Sequence, residues 1–570
     1  MSANAPASQR VSLRAVANSS TQLGRRLSTF APLLDRVLGI QAIDRFCQQH
    51  RLYGLAPATF ADRALEALAV RVDDGGALSR LLPREGPVIV ASNHPHGGIE
   101  GLVLVHLLAA LRPDVKILAN TALRVFSELA PLSIYVNPLA PGDPANRKGL
   151  RACLGHLSDG GALVMFPAGR TSFHQPDLGY IADSPWSTAL GRLARRTDAQ
   201  VLPIRFMGKN SRLFYGLGSL WYRFRLLMLA REVMNKVGQT IALRVGQPIA
   251  ARDVDRLDGS TLTQYLQVES AALAAPVALG IAAVRERALA PARSPAVLER
   301  EVAALPTDQR LLDAHDCIVA YGRAAQLPEV VAQITRERER TYRVEEEGSG
   351  EPVDTDHFDE RVTHLFCWNT QAQALVGAYR IACRDTLAAE GGTYLSGVFA
   401  FEESFVAARQ PAIELGRSFV VPEYQRSRYA LDLLWRGIGA FLRAHPRYSL
   451  MYGTVSLTRR YDPVSIAMMC DVLIDAPQGV SARVPLPDVL PAEWHQYRRQ
   501  HPVDLATLNA LIAAREPDGK GVPVLLRHYV GLNARFHAVA VDQTFAATPG
   551  LLLSVSPADL PATKRRRYLG

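Results

Sequence analysis

A chain of 570 residues exceeds what one hydrophobic core can organise, so roughly two to four domains are expected. Its 48% hydrophobic and 21% charged residues are ordinary globular values. The 64 Lys and Arg against 54 Asp and Glu, a net charge of +10, favour an anionic partner: a membrane surface, an acidic carrier protein or nucleic acid.

Residues 1–80 read as a polar tail followed by amphipathic helices, with apolar residues at helical spacing over 33–40 and 65–70, suited to covering a sheet or docking on lipid. Short apolar runs then alternate with helical patterns. Strands are expected at 86–92, 115–119, 133–136, 162–166, 200–206 and 240–245, and helices at 99–111, 146–157 and 187–196. That alternation predicts an α/β sheet domain over 81–270. Residues 271–310, rich in Ala, Pro and Arg, are expected to be a partly helical linker. A second mixed domain is expected over 311–570. Its helix should run from 311 to about 334, its strands over 362–368, 374–381 and 413–421, its second helix over 425–444, with weaker strands near 450–455 and 535–540. The end, Lys564-Arg565-Arg566-Arg567-Tyr568, is a basic cluster that reads as a solvated tail or a leaflet contact.

Six cysteines (Cys47, Cys153, Cys317, Cys367, Cys383, Cys470) show no C-x-x-C spacing, which argues against a zinc site or a disulfide framework and for a reducing compartment. No metal site is expected. The first 20 residues lack the apolar core of a signal peptide, and the longest apolar runs are broken by arginine, as at Arg223 and Arg225. The chain is therefore expected to be soluble or to lie on a membrane surface.

The chemistry concentrates first in Val88-Ile89-Val90-Ala91-Ser92-Asn93-His94-Pro95-His96-Gly97-Gly98-Ile99-Glu100-Gly101. Strand, turn and helix follow one another, putting His94 and His96 at the carboxyl end of a strand, where α/β folds usually bind their ligands. Glu100 falls in the first turn of the helix, and a His with an orienting carboxylate is a general-base pair for a hydroxyl. A capping Glu beside a loop His is the plainer reading of the same residues. Phe166-Pro167-Ala168-Gly169-Arg170-Thr171-Ser172 has the shape of a turn that exposes backbone N–H groups beside an Arg. Val201-Leu202-Pro203-Ile204-Arg205-Phe206 is a strand whose proline points to an edge or a rim. Arg124 and Asn137-Pro138 lie between the first loop and these two stretches.

In this order the stretches resemble the glycerolipid acyltransferase family, with its N-H-x4-D, F-P-E-G-T-R-S and V-P-I motifs, over roughly residues 80–250. The resemblance implies that His94 deprotonates an acceptor hydroxyl that attacks an acyl thioester, and that Glu100 steadies it. His96 is the reserve base. Asn93, His96, Gly97, Gly98, Phe166, Pro167, Gly169 and Arg170 inherit substrate contacts. Here the spacing is H-x5-E, and Ala168 replaces the family Glu, which weakens a glycerol phosphate acceptor. The loop with F-P-A-G-R is similar to the branch labelled hemolysins and to the ornithine lipid synthases.

In the second half, Ile413-Glu414-Leu415-Gly416-Arg417 runs into Val421-Pro422-Glu423-Tyr424-Gln425 and a helix. This resembles the GNAT acyltransferase core, whose Gly-rich turn holds the coenzyme A pyrophosphate at a helix N-terminus. Arg428 stands where a Gly is needed, so a carrier-protein thioester with a single phosphodiester fits better. With Arg338, Asp356-His357-Phe358-Asp359 and Gly377-Ala378-Tyr379-Arg380, the order resembles acyl-homoserine lactone synthases and ornithine N-acyltransferases over about residues 330–470. That resemblance gives Glu414, Asp356, Asp359, Arg380 and Arg417 the amine-acceptor site, with Glu414 catalytic. A partly buried structural ion-pair network is the alternative.

The two halves together imply a bifunctional ornithine-lipid-type synthase: an N-terminal acyltransferase mixed-sheet domain and a C-terminal GNAT-like α+β domain. The C-terminal half would N-acylate ornithine with a 3-hydroxyacyl group, and the N-terminal half would acylate that 3-hydroxyl. The implied partners are acyl carrier protein, an amino-acid acceptor such as ornithine, and a peripheral contact with the inner face of the cell membrane from the cytoplasm. No cofactor is implied beyond acyl carrier protein or coenzyme A as acyl donor. The alternatives are a lysophosphatidic acid or other lysolipid acyltransferase, a glycine or glutamine lipid synthase, and a non-catalytic membrane-active protein. No G-x-S-x-G, H-E-x-x-H or G-x-x-x-x-G-K-[ST] occurs, and nucleic-acid binding has only charge behind it.

Overall fold

The structure is a computed structural model that describes residues 40–275 and 286–570, apart from 139, 141, 176–177, 221, 388–391, 408–410 and 476–478. The helix expected over 33–40 therefore lies outside the described residues except for Ile40, as do 276–285 of the expected linker. The chain divides into two compact units, Met1–Ala275 with Leu490–Gly519, and Pro276–Val489 with Lys520–Gly570.

The first unit is built on ten strands: β1 (Arg71–Asp73), β2 (Val88–Ser92), β3 (Lys116–Asn120), β4 (Ser133–Val136), β5 (Ala162–Met165), β6 (Phe173–Gln175), β7 (Tyr180–Ala182), β8 (Gln200–Phe206), β9 (Thr240–Val245) and β10 (Ile249–Ala250). The main sheet runs β1-β9-β8-β2-β5-β3-β4, with β10 on β8, and β6 and β7 form a separate hairpin. β2 lies between parallel β5 and β8 with all five residues buried, as its unbroken Val-Ile-Val-Ala run requires of a central parallel strand. The core beneath it is filled by Ile99, Val103 and Leu104 of the helix Ile99–Leu108.

One expectation is corrected here. The strand with Pro203 is not at an edge: β8 pairs with β2 on one side and with β9 and β10 on the other. The proline is tolerated because β10 pairs only at Gln200 and Val201 and β9 only from Ile204 onward. Pro203 falls in the gap, where no ladder hydrogen bond needs its missing N–H.

Residues 490–519, expected within the C-terminal domain of 311–570, return to the first unit as helices Ala492–Gln500 and Leu505–Arg515. It packs on the helix Gly259–Ala272, where Tyr265 donates to the Leu511 carbonyl at 2.9 Å and Arg515 pairs with Glu269 at 2.5 Å, both side chains buried. The two ions satisfy one another, which is the condition for burying either.

The second unit carries β11 (Arg310–Ala314), β12 (Cys317–Arg323), β13 (Thr363–Asn369), β14 (Ala374–Cys383), β15 (Phe399–Phe401), β16 (Ala412–Val420), β17 (Leu450–Ser456), β18 (Val480–Ala482), β19 (Arg535–Asp542) and β20 (Thr548–Val555). The sheet runs β11-β12-β13-β14-β16-β17-β20-β19, and β15 pairs with β18 apart from it. The expected helix from 311 is corrected to the β11–β12 hairpin, with the helix itself at Pro328–Val344. Ala314 pairs with Cys317 across His315 and Asp316, both at positive φ (56° and 57°), the conformation of a tight I′ turn. Part of the expected linker is a helix, Pro295–Ala303, that buries Leu298 and Val302. Among the described strands of this sheet only β16 and β17 run parallel, and their pairing covers Ala412–Leu415 and Leu450–Gly453. Beyond that point they part and leave a wedge in the sheet. The basic C-terminal cluster forms a helix, Ala562–Tyr568, with Tyr568 buried and Arg567 paired to Asp432 at 2.6 Å. Among the described residues no helix is long and apolar enough to cross a membrane.

Candidate active sites

In the first unit, the end of β2 delivers Asn93 and His94 to the head of the sheet. Asn93 is fixed by two bonds to Phe206 at the end of β8: its amide donates to the carbonyl at 3.0 Å and its oxygen accepts the N–H at 2.7 Å. The turn that follows needs glycine. Gly97 has φ +88°, and a Cβ there would lie 2.4 Å from both Leu229 and Thr171; at Gly98 it would lie 2.9 Å from Val233. This tight turn lies within the H-x5-E interval. Glu100, fully buried, brings Oε1 to 3.5 Å from His94 Nδ1 and accepts the N–H groups of His96 at 2.5 Å and Gly97 at 3.0 Å.

The two histidines separate by environment. The His94 side chain retains 18% of its exposure and lies on the Phe166 ring, centroids 4.4 Å apart. Burial would lower its pKa, but the negative charge of Glu100, with that of Asp183, holds it above the ordinary value. Burial would likewise raise the Glu100 carboxyl, yet the facing charge of His94 carries it down to about 2. His96 is buried, donates Nε2–H to the Met207 carbonyl at 3.0 Å, and is lowered by burial. Asp183, which spacing gave no reason to single out, accepts the His94 N–H at 3.2 Å, the Ser172 hydroxyl at 2.5 Å and the Trp186 indole N–H at 3.0 Å.

The Phe166–Arg170 turn flanks the same loop. The Pro167 carbonyl accepts the Ser187 N–H, Gly169 turns at φ +66°, the Ser172 N–H donates to the His94 carbonyl at 2.9 Å, and Arg170 is exposed. Two cavities adjoin the loop. Gly97 and Gly98 line an apolar one of about 280 Å³, walled by Phe46, Phe60, Leu102, Phe126, Leu229 and Met234. Asn93 and Pro95 line a second, more polar one of about 430 Å³, whose lining also includes Arg205 and Lys209. A neutral imidazole steadied by a carboxylate, on a loop whose residues line both an apolar and a more polar cavity, can remove a proton from a hydroxyl on an amphipathic molecule.

In the second unit Asp356, Asp359, Arg380 and Arg417 do come together, with Arg338 and Asp354. Arg338, fully buried, pairs with Asp354 at 2.7 Å and Asp359 at 2.9 Å; Arg380 pairs with Asp356 at 2.8 Å and Asp359 at 3.4 Å. Arg417 reaches Asp354 at 3.5 Å and Asp356 at 3.8 Å from a left-handed backbone (φ 48°), its guanidinium over the rings of Tyr394 and Phe545. Each of these carboxylates thus faces an arginine, as the network alternative had it, and Asp359 is driven far below the carboxylate range because Arg338 and Arg380 outweigh its burial. Glu414 stands beside this network rather than in it. It shares a face of the sheet with Arg380 across the β14–β16 ladder, where Ala382 pairs with Glu414 and Arg380 with Gly416. Burial raises its pKa, against Thr393, Arg380 and Tyr452, and its Oε2 has no hydrogen-bond partner among the described residues.

One acid here was not singled out in the sequence. Glu347, just past the helix Pro328–Val344, accepts the Ser456 hydroxyl at 3.0 Å where β17 has left β16, and burial pushes it up to about 7. Its neighbours Glu345 and Glu346 are ordinary surface acids in the sequence pattern, and only the fold distinguishes it. Past β16, Arg426 and Arg428 are exposed ahead of the helix Ala430–Ala444.

Residues 14–270 match the family described as Acyltransferase, and residues 338–436 match the acetyltransferase (GNAT) domain. The chain is 31% identical over 204 residues to the lyso-glycine lipid O-acyltransferase of Phocaeicola vulgatus, spanning 35% of this chain and 71% of that protein. It is 34% identical over 148 residues to the glycine N(alpha)-acyltransferase of Bacteroides thetaiotaomicron (24% and 44%). To the L-ornithine N(alpha)-acyltransferase of Agrobacterium fabrum it is 29% identical over 228 residues (38% and 71%).

Proposed function

The chain belongs to the acyltransferase family that includes the lyso-glycine lipid O-acyltransferases, and on that footing we propose that this aminolipid acyltransferase is bifunctional and makes an ornithine-type lipid in two steps. In the GNAT unit, the α-amine of the amino acid attacks the carbonyl of a 3-hydroxyacyl thioester, loses a proton toward Glu414, and the thiol departs. In the first unit, Nε2 of His94 takes the proton of that 3-hydroxyl as it attacks a second acyl thioester; Glu100 holds the imidazole and stabilises its cation. The thiolate leaves with the proton from His94. The apolar cavity accommodates an acyl chain.

The observation that carries this reading is the His94–Glu100 pair on a loop whose Gly97 and Gly98 line an apolar cavity and whose Asn93 and Pro95 line a more polar one. It supports a hydroxyl acceptor borne on an amphipathic molecule. The donor proposed for the GNAT unit is an acyl carrier protein: Arg426 and Arg428 offer charge for one phosphodiester, and the basic surplus suits an acidic carrier. The same surplus suits peripheral contact with the inner face of the cell membrane.

A second reading keeps both reactions and replaces ornithine by glycine, which is favoured by the two relatives named for glycine. Expression of the whole chain in a bacterium that lacks such lipids decides between them. A new ninhydrin-positive, phosphorus-free lipid that releases ornithine on acid hydrolysis is the expected product. Release of glycine would establish the second reading, and the absence of any amino-acyl lipid would overturn both.

A further inference from the structure

The polar cavity holds an arrangement that the chemistry above does not use. Its floor includes Arg205 on β8 and Lys209 just beyond it, and its wall includes Tyr180 and Glu493. Glu493 comes from the helix Ala492–Gln500, on the segment that returns to the first unit more than 200 residues after the rest of it. The chain thus brings a distant acid to the lining of a cavity that begins at Asn93 and Pro95.

Glu493 is 9% exposed, and its Oε2 accepts the Tyr180 hydroxyl at 2.9 Å. That bond orients the carboxylate without neutralising it. Among the described residues, neither it nor Arg205 nor Lys209 forms an ion pair, and the Arg205 and Lys209 side chains make no hydrogen bond. A half-buried arginine and a buried acid that form no direct ion pair are costly unless a ligand or water completes them. Two positive groups and one negative group, all facing one chamber, match a head group that carries an anion and a cation at once.

Resting on the reading that the first unit acylates an amino-acyl lipid, we propose that this cavity recognises the zwitterionic head group of the acceptor, Arg205 and Lys209 holding its α-carboxylate and Glu493 its side-chain ammonium. The carboxylate and the reacting 3-hydroxyl of such an acceptor are only a few bonds apart, so a head group between β8 and the β6–β7 hairpin leaves the hydroxyl beside the His94 loop. Glu493 then becomes a specificity residue: an ornithine-type head group has the cation it needs, and a glycine-type head group does not. The acid would also reject an acceptor ending in a phosphate, by like-charge repulsion.

The test is O-acyl transfer by the purified full-length protein, with lyso-ornithine lipid and lyso-glycine lipid as acceptors. Glu493→Gln is expected to raise KM for lyso-ornithine lipid roughly tenfold, the loss of one charge-assisted contact, with kcat retained and lyso-glycine lipid turnover unchanged. Arg205→Gln is expected to raise KM for both acceptors. Tyr180→Phe removes the orienting bond and keeps the charge, so it should reproduce only part of the Glu493→Gln effect. Equal losses on both acceptors in Glu493→Gln, or a change in donor KM instead, would overturn the assignment. Turnover of neither acceptor by the wild type would overturn the parent reading and this one with it, whereas turnover of both with Glu493→Gln indistinguishable from wild type would overturn this one alone.

Discussion

Glu100 Oε1 stands 3.5 Å from His94 Nδ1 while it accepts the N–H groups of His96 and Gly97. One buried oxygen therefore fixes the loop and the imidazole together. The ring is held with Nδ1 toward the carboxylate, which leaves Nε2 as the nitrogen that can act on a substrate. The charge that faces the imidazole also raises its pKa, so geometry and titration are coupled.

Glu100→Gln keeps the shape and deletes the charge. O-acyl transfer should fall by about a hundredfold, the lower range for a disabled general base. The acidic limb of kcat/KM against pH should also move to lower pH. The reason is that wild-type His94 must lose a proton held by Glu100, whereas in the variant only the charge of Asp183 opposes the burial that lowers the imidazole pKa. A limb that stays in place would mean that His94 is not the titrating base.

His94→Ala should abolish O-acylation and let the N-acylated lyso-aminolipid accumulate in cells expressing the chain. His96→Gln separates the second histidine: it disturbs the bond to the Met207 carbonyl and should cost about 1–3 kcal/mol of stability with O-acylation retained. Thin-layer separation of the two lipids, with a denaturant curve for each variant, reads both outcomes. Accumulation in His96→Gln and not in His94→Ala would reverse the assignment.

Much of this was legible in the sequence because the first unit obeys local rules. β2 is an unbroken apolar run, and the Pro-x-Gly-Gly turn has a composition that admits little else. The failures have physical causes. The β11–β12 turn uses His315 and Asp316 at positive φ, without the Asn-Gly signal that advertises an I′ turn, so an apolar run read as a helix. Pro203 reads as an edge residue from one strand alone, and only the partners on its far side show the gap it fills. The return of Leu490–Gly519 depends on the buried pair of Arg515 and Glu269, two residues 246 positions apart, which no local pattern links. In the GNAT unit the charged residues were found by their order, but order does not say which carboxylates the arginines already occupy.

That distinction can be measured. Arg338→Met leaves Asp354 and Asp359 buried beside fewer cations and should destabilise the protein by about 3–5 kcal/mol, seen as a lowered denaturation midpoint. Glu414→Gln sits beside the network without holding it and should abolish N-acylation of ornithine by hydroxyacyl carrier protein with the midpoint nearly unchanged. Equal destabilisation by both substitutions would make Glu414 one more member of the structural network.

Glu347 tests the wedge between β16 and β17 by its pH dependence. Burial raises this carboxyl from 4.5 to about 7, so the folded protein holds a proton that the unfolded chain gives up near pH 4.5. A raised carboxyl contributes stability that is present below the unfolded pKa and is lost as pH rises through the folded one. The wild type is therefore handicapped progressively between about pH 4.5 and 7. Glu347→Gln cannot ionise and can still accept the Ser456 hydroxyl at its amide oxygen. The variant should gain on the wild type across that interval, by on the order of 3 kcal/mol, with no further gain above it. Urea midpoints at pH 5 and pH 8 give the comparison, and any cost of the substitution common to both pH values cancels in the difference. A stability gap that stays constant from pH 5 to pH 8 would mean that Glu347 is solvated in solution and that the wedge opens to water.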